Sequence, residues 1–209
     1  MESTTTAQIM DAVRSALAHL SALTPTLTLL NNGGETLAES HLLAAFEDGE
    51  HEFAPVDDAP PLPISEIFAR TMGTMMAKKE PLTQHQICDC AARFVRRHPH
   101  WPPIPATEII RSVTLPVYCR LIRDGHSEAI ALPQTLLHIL AWKSKEGWVQ
   151  DQAQRLLWKG GVLGEEGNRE FKILDDNLAA RGFSFAGLEE ILFITALLAC
   201  LPKGQLFMN

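Results

Sequence analysis

The chain has 209 residues, 46% of them hydrophobic, and carries a net charge of −7 from 18 basic and 25 acidic side chains. That length can bury a sizeable core and sets a single domain over residues 1–209 as the starting expectation. The acidic balance argues against non-specific nucleic-acid binding, which needs a basic surface, but still permits phosphate ligands, which need only local positive potential. The longest apolar run, Ile191 to Leu201, falls short of the roughly 20 residues that span a bilayer. Met1-Glu2-Ser3-Thr4 has neither a basic lead nor an apolar run behind it, so a cytoplasmic protein without a membrane partner is expected. The dispersed Cys88, Cys90, Cys119 and Cys200 fit free buried thiols in a reducing compartment.

Helical periodicity runs through the chain. Thr6 can cap a first helix to about Leu23, with Ile9, Val13, Ala16, Leu17 and Leu20 on one face, and Thr24-Pro25 ends it. Asn31-Asn32-Gly33-Gly34 is a strong turn signal, and a short helix follows from Thr36 to Phe46. Residues 48–63 are acidic and proline-rich and read as an exposed loop. Further helices run from Ser65 to Lys79 and from Thr83 to about His98, separated by Pro81. The span from Thr107 to Arg123 contains Pro116 and is expected to kink or split. Pro133 suits the first turn of a helix through Leu136, Leu137, Leu140 and Ala141. Trp148 to Lys159, Glu166 to Ala180 and Ser184 to Leu201 complete the set. No segment alternates as a strand does, so the expected fold is all-α, a compact bundle of about eight or nine helices.

Several groups could carry chemistry. His85, Cys88 and Cys90 are close in sequence, but on a helix the two cysteines point about 200° apart, so no metal site is expected there. Lys78-Lys79 reads as a phosphate clamp or as cations favourably placed at a helix C-terminus. Asp175-Asp176 and Glu189-Glu190 can hold nucleotide-bound magnesium, act as general base, or simply keep helix surfaces soluble. Ser184-Phe185-Ala186-Gly187 opens the last apolar helix, and free N–H groups at such a start suit a phosphate. Gly at the end of an ordinary helix–turn–helix explains the same glycines without a ligand. No nucleophile-elbow serine, Walker-type loop or dinucleotide fingerprint is present.

In order and spacing, the last quarter resembles the triphosphoribosyl-dephospho-CoA synthase family, which serves citrate lyase and malonate decarboxylase. Val149, Ala153, Gly160, Gly161, Gly167, Leu174, Asp175, Ala180, Arg181, Ser184, Gly187 and Leu192 fall in register with that family's pattern. Upstream, Leu23-Thr24-Pro25, Asn32-Gly33, Met72-Gly73 and Lys78 or Lys79 are weaker echoes. The resemblance implies an all-α transferase that moves the triphosphoribosyl group of Mg-ATP to the 2′-hydroxyl of 3′-dephospho-CoA with release of adenine. It further implies that Lys78, Lys79, Asn32, Gly33, Ser184 and Gly187 hold phosphates. Glu190 and Asp175 are then the catalytic carboxylates, as base or as ligands of the substrate's magnesium. Departures are also evident. The family's Ser-Pro-Gly-Gly-Ser-Ala-Asp has become Ser184-Phe185-Ala186-Gly187-Leu188-Glu189-Glu190, whose Phe185 and Leu188 would crowd a triphosphate. An Asp-Thr-Asn segment is missing across a shortened Ala141–Val149 stretch. These departures carry the alternative: a catalytically degenerate helical binding or regulatory protein, a pseudoenzyme, acting on an acyl carrier protein or a synthase partner.

Overall fold

The computed structural model describes residues 6–23, 27, 106–183 and 188–201. All regular structure among them is helical. In chain order the helices are α1 (Thr6–Leu23), α2 (Ala106–Ile109), a π-helical turn (Ile110–Thr114), α3 (Leu115–Arg123), α4 (Glu128–Lys143), α5 (Gly147–Trp158), a 3-10 turn (Gly161–Leu163), α6 (Gly167–Ala180) and α7 (Leu188–Cys200). The helices expected at 36–46, 65–79 and 83–98, and the loop at 48–63, lie outside the described residues.

Two helices form the centre. From Ala131 to Leu137 every residue of α4 is buried, and α7 is buried from Ile191 to Leu198. Helices apolar all round belong in an interior, and these two are covered by neighbours with narrower apolar stripes. α1 packs along α7 with Val13, Ala16, Leu17 and Leu20 inward, as its periodicity predicts, while α5 packs along α4 and α3 bridges α4 and α7. Threonine hydroxyls link parts of this core: Thr195 donates to the Ile191 carbonyl at 2.7 Å and pairs with Thr114 at 2.6 Å, joining α7 to the π turn.

Pro116 splits its helix as expected. It has no N–H for the ladder, and just before it the Leu115 N–H bonds to the Ile110 carbonyl, closing a wider turn. The Ser112 hydroxyl meanwhile donates to the Glu108 carbonyl at 2.6 Å. Pro133, by contrast, does not begin its helix. α4 starts at Glu128, so Pro133 sits inside it, buried, with the ladder continuing on either side. Tertiary burial of this fully enclosed helix outweighs the one missing hydrogen bond, a cost of about 3 kcal/mol in an isolated helix.

Candidate functional site

The glycine-rich stretch after α5 is a packing device. Gly160 and Gly161 both have positive φ, 100° and 63°, where other side chains are strained. A Cβ on Gly161 would collide with the Gln134 side-chain amide, and one on Gly167 would collide with the carbonyls of Gly161 and Val162. Gln134, 6% exposed on α4, accepts a hydrogen bond from the Val162 N–H at 2.7 Å. The loop's small residues therefore let it press onto α4 and the start of α6, and the space a phosphate would need is filled by Gln134.

The α4–α5 connection is equally closed. Only Ser144, Lys145 and Glu146 separate the helices. Gln154 donates to the Ala141 carbonyl at 2.9 Å and Gln150 to the Ser144 carbonyl at 2.6 Å, so side chains of α5 satisfy the C-terminal end of α4. This tight turn stands where the Asp-Thr-Asn segment is missing.

Of the residues expected to form a site, Asp175 is the one whose side chain is described. It is 1% exposed, with Oδ2 3.1 Å from Lys172 Nζ; the same ammonium lies 2.8 Å from Asp176 Oδ1. Those carboxylates, Asp176 foremost, hold the Lys172 pKa above its usual value. Glu190 lies in the first turns of α7, but its side chain is not described. Lys78, Lys79, Asn32, Gly33, Ser184 and Gly187 lie outside the described residues, as do His85, Cys88 and Cys90. Leu188, the first residue of α7, has its side chain completely buried in the core.

The described thiols are poor nucleophiles. Burial, and secondarily Cys200, pushes the Cys119 pKa up to about 11, and burial, then Glu128, raises that of Cys200. Neither forms much thiolate at neutral pH, which leaves them as packing groups.

An open groove of about 750 Å³ runs between the outer faces of α5 and α6. The two helices are antiparallel. At one end the Arg181 guanidinium stacks over the Trp148 ring, 4.3 Å from its centroid, and at the other Lys159 Nζ meets Glu170 Oε1 at 2.7 Å. The ends are three helical turns apart, about 16 Å. Leu156 and Leu174 form the floor, Gln152 and Asn177 contribute amides, and Trp158 and Ile173 stand out at 82% and 51% exposure. Asp175 points about 140° round α6 from this groove. Trp158 and Ile173 carry no motif. Only the spacing 148, 152, 155, 159 on α5 would have marked one face, and its partner face on α6 depends on the helix pairing.

Three curated relatives place the chain. It is 31% identical over 179 residues to the 2-(5''-triphosphoribosyl)-3'-dephosphocoenzyme-A synthase of Klebsiella pneumoniae, and 36% identical over 180 residues to that of Escherichia fergusonii. A probable synthase 1 of Salmonella typhi is 31% identical over 185 residues. Each match takes in 68% of this chain. The chain is homologous to the triphosphoribosyl-dephospho-CoA synthases. It spans 59% of the length of these synthases. No family model and no solved structure matches it. No helix among the described residues is long and apolar enough to cross a membrane.

Proposed function

We propose that the chain is a divergent triphosphoribosyl transferase of the synthase type, working in the cytoplasm on Mg-ATP and 3′-dephospho-CoA. The 2′-hydroxyl oxygen of dephospho-CoA attacks the anomeric carbon of the ATP ribose. The bond from that carbon to adenine breaks, and its electron pair stays on adenine, which takes a proton from solvent, while a carboxylate accepts the hydroxyl proton and returns it to solvent. The products are adenine and a dephospho-CoA bearing a triphosphoribosyl group on its 2′-oxygen.

One observation carries this reading: Asp175, a family-register residue on a chain homologous to the synthases, is a carboxylate with 1% exposure beside a lysine. A charge withdrawn this far from water is costly unless it is paired or used, and such residues are enriched at working sites. Asp175 and Glu190 are the carboxylates of the proposed site, as proton acceptor or as ligands of the substrate's magnesium. Lys78, Lys79, Asn32, Gly33, Ser184 and Gly187 hold the phosphates. The substrates' separate binding and orientation supply most of the rate, since the reacting atoms meet only if both are held.

A second reading is favoured by the three-residue α4–α5 connection, which leaves no room for the missing Asp-Thr-Asn segment. In it the chain is a pseudoenzyme that binds a carrier protein or an active synthase.

Purified chain incubated with Mg-ATP and dephospho-CoA, followed by chromatography for adenine, separates the two. The transferase releases adenine in step with the new product, and Asp175→Asn lowers the rate roughly 100-fold or more. Absence of adenine from folded protein in excess over substrate sinks the transferase and leaves the pseudoenzyme.

A further inference from the structure

The α5–α6 groove has features that a solvated surface does not require. The chain is acidic overall, yet two exposed arginines, Arg155 and Arg181, line this groove. Arg181 contacts the Trp148 ring and Arg155 has no ion-pair partner among the described residues, although Arg169, Lys172 and Lys159 nearby are all paired. The Arg181 guanidinium lies over the Trp148 ring, 4.3 Å from its centroid, and a guanidinium presents N–H groups that suit phosphate oxygens. Trp148 is itself oriented, because its indole N–H donates to Glu146 Oε2 at 2.9 Å.

The antiparallel pairing orders these features along one line. Trp148 faces Arg181 and Lys159 faces Glu170, so Gln152 comes level with Asn177, and Arg155 with Leu174. From the Arg181 end the groove reads guanidinium, amides, guanidinium, an apolar stretch under Trp158 and Ile173, and last the Lys159–Glu170 ion pair. A ligand matched to that order carries phosphates at one end and, at the other, a flexible arm with apolar segments and polar groups. The Arg181 end is also three residues in sequence from Ser184, where the proposed phosphate-binding helix start begins.

We infer that this groove is the binding site for the pyrophosphate and pantetheine arm of dephospho-CoA. The inference rests on the proposed transferase reading for the identity of the ligand. Arg155 and Arg181 hold the pyrophosphate between them at the level of Gln152 and Asn177. The arm lies over Leu156 and Leu174 and ends against Trp158 and Ile173. The adenosine, with its 2′-hydroxyl, then extends past the Trp148–Arg181 end. The groove thereby distinguishes the acceptor from ATP, which has phosphates but no arm.

Calorimetric titration of the full chain tests this with three probes: dephospho-CoA, 4′-phosphopantetheine and ADP. Dephospho-CoA is expected to bind at least tenfold more tightly than ADP, and 4′-phosphopantetheine to compete with it. Arg155→Gln and Trp158→Ala each weaken dephospho-CoA at least tenfold while leaving Mg-ATP affinity unchanged. Both side chains are exposed, so circular dichroism is expected to show folded variants, and Ile173→Ser serves as an independent third. Absence of heat with dephospho-CoA overturns the groove, as does binding that none of the three variants weakens. The adenine assay keeps the two ideas apart. Groove-dependent binding without adenine release overturns the transferase and leaves the groove standing. Adenine release whose KM for dephospho-CoA is untouched by the variants does the reverse.

Discussion

In the loop from Gly160 to Gly167 the small residues face filled space, whereas the groove on the outer faces of α5 and α6 is lined by large side chains and stands open. The two regions adjoin in sequence. The glycines of the first fall in the family register, and the structure packs them against the Gln134 amide. The second is marked by two guanidinium groups that have no ion-pair partner among the described residues, one of them over the Trp148 ring, and by an exposed indole. The contrast shows that glycine reports how closely backbones approach, while a free site is reported by costly side chains left without partners.

The contrast breaks most sharply at Gly161. Gly161→Ala adds a Cβ against Gln134 at φ 63°, combining overpacking with backbone strain. It is expected to cost about 3 kcal/mol in urea denaturation. Gln134→Ala strands the buried Val162 N–H and is expected to cost about 2 kcal/mol. In that background Gly161→Ala loses part of its penalty, because the collision is gone and only the φ strain of about 1–2 kcal/mol remains. Additive costs in this double-mutant cycle would mean that the loop does not rest on Gln134. Thr195→Val, which removes one hydroxyl of the pair joining α7 to the π turn, is expected to cost about 1 kcal/mol.

On the groove side, Trp158→Ala is expected to change stability by less than about 0.5 kcal/mol, since an 82% exposed ring contributes little to folding. A large loss of thermal stability there would show that the groove is structural after all. The smallest effect is expected from His138. Burial lowers its pKa below the ordinary 6.5, so the unfolded chain takes up the proton first as pH falls. Stability therefore declines on acidification through about pH 6.5, and His138→Gln flattens that part of the pH profile.

Much of the fold was legible because helix ends and faces are local properties. The period of Val13, Ala16, Leu17 and Leu20 gave α1 its buried face, and Pro116 marked the irregular turn that leads into α3. Pro133 misled because a proline's preference for a first turn is weak beside the burial of a whole helix. Asp175 could be singled out from the resemblance, but its burial could not, since the doubled acids Asp175 and Asp176 look alike in sequence and one is enclosed while the other is exposed. Leu188, at the start of α7, is a core residue, because the first turn of a helix has an inner side too. The groove was hidden for a different reason: half of it belongs to each of two helices, and their register is set by tertiary pairing.

The π turn at Ile110–Thr114 sets the phase of the chain before it. A turn of this kind holds one residue more than an α turn, and each residue is worth about 100° of rotation. Here it lets Ile109 and Ile110 face the same interior as Leu115 and Tyr118, although no single α-helical stripe joins the two pairs. Removing one residue from the turn would tidy the hydrogen-bond ladder and turn everything upstream by that angle. Ile109 and Ile110 would swing toward water, and a locally more regular helix would belong to a less stable protein.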